Sequence, residues 1–155
     1  MWSWDFEHGA DNKHGHADLV FAVDGTERVV TLTELHRSSI AAAAGLQASG
    51  IRPGDAVAVQ MTNRIECAVA YQAVLLCGAV LVPIVHIYGR AEVDFILAES
   101  GAKLLITLDE IPAAADWSAY RRPSPSADDV AVLIYTLPTA GSAPAISGIS
   151  TPTDG

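Results

Sequence analysis

The spacing of apolar positions changes several times along the chain, and each change predicts an element. Leu19–Val23 and Thr26–Thr31 are rich in strand-forming residues and are separated by Asp24-Gly25, a strong two-residue turn signal. They predict an N-terminal β-hairpin. A helix is expected next. Thr31 and Glu34 have the spacing of a capping box, and Val30 is placed to staple against Leu35. Leu35, Ala42 and Leu46 recur on one helical face with Ala43 beside them. Gly50 suits the left-handed position after the helix, Ile51 supplies the apolar contact that follows, and Pro53 prevents continuation.

Asp55–Met61 reads as a strand centred on Val57, Ala58 and Val59. Asn63 is the expected cap of the next helix, with Glu66 in its first turn. That helix runs through Ala70, Ala73 and Leu76 to Cys77, and is apolar nearly all round. A strand at Ala79–Val85 follows, then a short helix over Glu92–Ser100 with Val93, Ile96 and Leu97 inward, ended by Gly101. Lys103–Thr107 is another apolar strand. Asp109–Asp129, with Pro112, Pro123 and Pro125, reads as a connector with one helical turn. Val130–Tyr135 is a last strong strand, and Thr136–Gly155 has no period and no expected strand or helix.

Strands alternating with helices imply parallel pairing and a sheet covered on both faces. The fold class is therefore α/β: a partial doubly wound, mostly parallel sheet with helices on both faces and an N-terminal β-hairpin. From Cys67 to Val85 the one strongly polar side chain is Gln72, which raises the alternative of a membrane span. Gly78 and Pro83 interrupt the run, and Val80–Val85 favours strand, so a buried helix leading into a buried strand is the expectation.

Composition narrows the function. Half the residues are hydrophobic and 17% are charged, which excludes wholesale disorder. Nine basic against 18 acidic residues give a net charge of -9. That argues against nucleic acid and anionic membrane surfaces as partners. Cys67 and Cys77 lie on one expected helix, about 15 Å apart along its axis, beyond disulfide reach. Free buried thiols suit a reducing compartment, and Met1–His16 has no apolar signal core, so a cytoplasmic location is expected.

The stretch Asp55–Thr107, DAVAVQMTNRIECAVAYQAVLLCGAVLVPIVHIYGRAEVDFILAESGAKLLIT, resembles the early part of the AMP-forming adenylate ligases. That superfamily contains acyl-CoA synthetases, aryl-CoA ligases and luciferases. The features that match are the strand before Asn63, the Asn63…Glu66 pair, Gly78-Ala79, the Pro83…Tyr88 segment and the helix ending at Ser100-Gly101. The preceding TLTELHRSSIAAAAGLQASGIRPGD fits as well. The resemblance implies an enzyme using ATP, magnesium and coenzyme A on a carboxylic acid, in fatty-acid or related metabolism.

The same family places its phosphate loop, Tyr-Thr-Ser-Gly-Thr-Thr-Gly-x-Pro-Lys-Gly, directly after a strand like DDVAVLIYT. Small residues let backbone N–H groups approach phosphate, hydroxyls add donors and the lysine adds charge. Here the segment is Tyr135-Thr136-Leu137-Pro138-Thr139-Ala140-Gly141-Ser142-Ala143-Pro144-Ala145. The resemblance assigns Thr136, Thr139 and Gly141 as candidate cofactor-binding residues. Leu137 and Ala140 lose hydroxyls and Pro138 loses a backbone donor; with one residue inserted, Pro144 aligns with the family proline and Ala145 stands where the lysine is expected. Either a degenerate loop holding phosphate weakly or an ordinary Pro/Gly-rich surface segment results. No cofactor is expected to bind tightly to this chain.

The resemblance covers the opening part of such an enzyme. The acyl pocket, adenine contacts, magnesium-holding Glu, ribose-holding Asp and the C-terminal catalytic lysine lie downstream of the loop. Residues 1–135 are thus expected to form the N-terminal part of the ligase domain, and residues 136–155 a degenerate phosphate-loop region with a flexible tail. No catalytic residue is assigned, and the chain alone is expected to be inactive. The alternative is a non-catalytic interaction domain that associates through exposed sheet edges.

Other candidates are weaker. His14 and His16 form an H-x-H pair near His8, but metal binding needs further ligands in fixed geometry. His86 follows a strand, at the edge where doubly wound sheets bind ligands. Asp128-Asp129 reads as a magnesium pair or a solvated turn. No metal site is assigned.

Overall fold

The computed structural model describes residues 20–21, 29–108, 110–112, 117–126, 128–136 and 145–150. Strand β1 (Val20–Phe21) pairs antiparallel with β2 (Val30–Thr31), Val20 opposite Thr31. A two-residue turn at Asp24-Gly25 pairs Val20 with Val29 instead, so the register sits two residues later than expected. The turn itself lies outside the described residues.

Helix α1 (Leu32–Ala48) starts at the expected capping box. The Thr31 N–H donates to Glu34 Oε2 at 2.7 Å, and the Glu34 N–H donates to Thr31 Oγ1 at 3.1 Å. Its end is a Schellman motif. Gly50, at φ 91°, donates to the Gln47 carbonyl, and the buried Ile51 donates to that of Leu46.

Strands β3 (Ala56–Gln60), β4 (Val80–Ile84), β5 (Leu104–Ile106), β6 (Val130–Thr136) and β7 (Ala145–Ser150) form one sheet in the order β5-β3-β4-β6-β7. The first four strands are parallel, and β7 is antiparallel to β6. Strand β7 corrects the expectation that nothing regular follows Thr136. Its residues gain their backbone partners from β6 rather than from any propensity of Ala-Ile-Ser-Gly-Ile-Ser.

Helix α2 (Ile65–Leu76) joins β3 to β4, and α3 (Arg90–Ser100) joins β4 to β5. Alternation along the strands assigns each helix a face. Val57, Val59, Leu81 and Ile106 meet Ala42 and Leu46 of α1 and Ala70, Ala73 and Val74 of α2. Ala56, Ala58, Val80, Val82 and Ile84 meet Val93 and Ile96 of α3 on the other face. Val57, Val59, Leu46 and Leu76 are almost fully enclosed. Burial of each such side chain contributes about 1.5–3 kcal/mol.

Two boundaries differ from expectation. The cap of α2 is Arg64 rather than Asn63, with no side-chain cap bond. Arg64 is extended, and its carbonyl accepts from the Cys67 N–H at 3.1 Å, so the first turn closes one residue late. Helix α3 begins at Arg90, because Gly89 is the cap and its carbonyl takes the Val93 N–H. The run from Cys67 to Val85 resolves into helix and strand, and among the described residues no helix is long and apolar enough to cross a membrane.

Pro83 sits inside β4 without breaking it. Val80 donates to Asp55 on the β3 side, and successive residues of a parallel strand donate alternately to its two neighbours. The missing N–H of Pro83 therefore falls on the β6 side, where the register rests on Leu81 opposite Val132. The connector after β5 contains the expected single turn, a 3-10 turn at Trp117–Ala119. It is tied down by Tyr120, whose hydroxyl donates to the Leu76 carbonyl at 2.9 Å.

Candidate nucleotide site at the carboxyl ends of the strands

Because β5, β3, β4 and β6 are parallel, their carboxyl ends share one edge of the sheet. The chain leaves β3 toward α2 on one face and leaves β4 toward α3 on the other. Backbones that depart in opposite directions open a crevice between β3 and β4, the place where sheets of this kind bind ligands. Gln60, the last residue of β3, spans it. Its Nε2 donates to the Tyr88 carbonyl at 3.1 Å and reaches the Val85 carbonyl at 3.4 Å. Nothing in the periodicity marks Gln60, because its partners lie 25 and 28 residues away.

His86 follows β4 on this edge, exposed between Val85 and Ile87, which are exposed as well. Arg64 and Glu66 pair at 3.7 Å at the start of α2. The buried Gln72 Nε2 on the same helix has no hydrogen-bond partner among the described residues.

Thr136 ends β6 on this edge and is exposed. Tyr135 before it is buried against the α3 face, and burial, with the Glu99 charge, pushes its hydroxyl pKa up. It anchors the strand end. Thr139 and Gly141, the other two candidate cofactor-binding residues, lie outside the described residues. The β6–β7 register sets the two described residues that flank them side by side, because Thr136 stands opposite Ala145. Directly opposed residues have Cβ atoms about 4.5–5.5 Å apart. The first loop hydroxyl and the position expected to bear the lysine are thus neighbours across the strand pair.

Asp128 and Asp129 are not part of this edge. They precede β6 at its amino end, about 20 Å of strand away from Thr136. Asp129 Oδ2 accepts from the Ser126 N–H at 2.7 Å, so the pair closes a turn. Among the described residues no three His, Cys, Asp or Glu side chains cluster as metal ligands. His8, His14 and His16 lie outside them.

An open cavity of about 740 Å³ also lies at the amino ends, lined in part by Gly54, Asp55, Lys103, Asp129 and Leu133. Lys103 Nζ meets Asp55 Oδ1 there at 2.7 Å. That end of a parallel α/β sheet is not its usual ligand-binding end, and its one lysine is already paired. The site assignment therefore stays with the carboxyl edge.

Both cysteines are free and buried, as expected. Cys77 Sγ donates to the Ala43 carbonyl at 3.3 Å, and burial pushes its thiol pKa up to about 12.

A mostly parallel sheet with α1 and α2 on one face, α3 on the other and an antiparallel return after β6 recurs in solved structures. The Klebsiella oxytoca NpsA N-terminal subdomain in complex with 3-hydroxybenzoyl-AMSN superposes with a TM-score of 0.80 at 24% identity, over 96% of this chain and 40% of that one. The N-terminal domain of FACL13 from Mycobacterium tuberculosis matches with a TM-score of 0.76 at 25% identity, over 96% of this chain and 44% of that one. The chain belongs to the AMP-binding enzyme family, which matches residues 6–142. Among curated relatives, acetyl-coenzyme A synthetase of Cupriavidus necator is 37% identical over 102 residues, 63% of this chain and 16% of that protein. Feruloyl-CoA synthase of an Amycolatopsis species is 34% identical over 130 residues, 72% of this chain and 26% of that protein. Phosphinothricin tripeptide synthetase PhsC of Streptomyces viridochromogenes is 37% identical over 97 residues, 63% of this chain and 9% of that protein. The chain therefore spans between about a tenth and a quarter of the length of these three relatives.

Proposed function

We propose that the chain is the N-terminal portion of an ATP-dependent, AMP-forming acyl-CoA ligase, of the fatty-acid or a related carboxylic-acid class, and that it is inactive alone. In the complete reaction a carboxylate attacks the α-phosphate of ATP, pyrophosphate leaves, and the coenzyme A thiol takes the acyl group from the adenylate. Such catalysis is largely positioning and charge stabilisation around phosphate. Residues 1–135 are the scaffold in this reading, and residues 136–155 hold the degenerate phosphate loop. Thr136, Thr139 and Gly141 retain two of its hydroxyls and one of its glycines.

The observation that carries the reading is the position of Thr136. It ends a parallel strand on the ligand-binding edge, directly before the loop, and faces Ala145 across the strand pair. The residues present fit a nucleotide only in part, because no ammonium group stands at position 145 to meet the phosphates. Magnesium and a cytoplasmic location belong to the reading as expectations.

Pyrophosphate exchange on the 155-residue chain, with acetate, longer fatty acids and aryl acids, tests it. Exchange at the level of the protein-free blank is expected. Acid-dependent turnover overturns the inactive-portion reading.

A further inference from the structure

We draw no further inference here: the strongest candidate, the open cavity of about 740 Å³ at the amino ends of the strands beside Asp55, Lys103 and Asp129, carries nothing, because the Lys103 ammonium and the Asp55 carboxylate already hold each other, Asp129 closes its own turn, and nothing in the structure shows what fills the space.

Discussion

The side-chain amide of Gln47 closes a two-bond clamp on the backbone of Arg121. Its Nε2 donates to the Arg121 carbonyl at 2.6 Å, and its Oε1 accepts from the Arg121 N–H at 2.9 Å. The amide imitates a strand partner and joins the last turn of α1 to the connector, 74 residues further on. With the Tyr120 hydroxyl on Leu76, it fixes the path by which the chain crosses from β5 to β6. The clamp is exposed, so each bond contributes about 0.5–1.5 kcal/mol. Gln47→Ala is expected to lower stability by about 1–2 kcal/mol in urea unfolding. It should also speed tryptic cleavage after Arg121 in the folded chain, the Arg122–Pro123 bond being resistant to trypsin. Unchanged cleavage means that the connector is held by other contacts.

The Asp55–Lys103 pair makes stability depend on acid. The hydrogen bond from Lys103, the Arg52 N–H at 2.9 Å and the charges of both residues hold the Asp55 carboxyl below its usual range. A carboxylate with a depressed folded pKa stabilises the fold above its unfolded pKa, near 3.9, and loses that contribution as pH falls through the folded value. Lys103 is more than half exposed, so the pair contributes at most about 1 kcal/mol. Asp55→Asn is expected to lower the urea midpoint at pH 7 and to leave it nearly unchanged at pH 2.5. An equal loss at both pH values indicates that the Arg52 turn, not the charge, is what the carboxylate serves.

Burial of Cys77 works in the opposite direction on the alkaline side. An unfolded thiol ionises near 8.5, while the folded one is pushed up to about 12. Above about pH 9 the unfolded chain sheds a proton that the folded chain keeps, so stability falls as pH rises. Cys77→Ala is expected to flatten that decline, at a cost of about 1 kcal/mol near neutrality from lost packing. Ellman's reagent at pH 8 is expected to titrate neither thiol in the folded chain and both in guanidinium. Fast labelling of the native protein contradicts the buried assignment.

Local signals in the sequence were legible where the physics is local. The Thr31–Glu34 box, the Gly50–Ile51 exit and the apolar strands around Val57 and Val82 each depend on neighbours within a few residues, and each stands as read. Asn63 does not cap α2, because capping depends on the backbone angle of Arg64, which composition does not reveal. Strand β7 is not legible in the sequence, because its pairing comes from β6 and Ser147-Gly148 carries no strand preference. The crevice spanned by Gln60 and the Gln47 clamp join residues 25 to 74 positions apart, so only the folded chain brings them together. At the candidate site the order of residues located Thr136, and the register added its neighbour, Ala145.

That neighbour relation makes the loop testable by restoration. If residues 136–145 are a phosphate loop that has lost its donors, returning them should return binding. Leu137→Ser restores a hydroxyl, and Pro138→Gly restores a backbone N–H together with the freedom to turn it inward. Ala145→Lys places an ammonium across the strand pair from Thr136. A hydrogen bond to a charged group contributes about 1.5 kcal/mol or more, which is roughly tenfold in affinity. The triple variant is expected to bind a fluorescent ATP analogue at least tenfold more tightly than the native chain. Ala145→Lys alone should account for the part of the gain that salt screens. A triple variant that melts normally yet binds no better shows that the segment is a surface loop, and that Thr136, Thr139 and Gly141 do not hold a nucleotide.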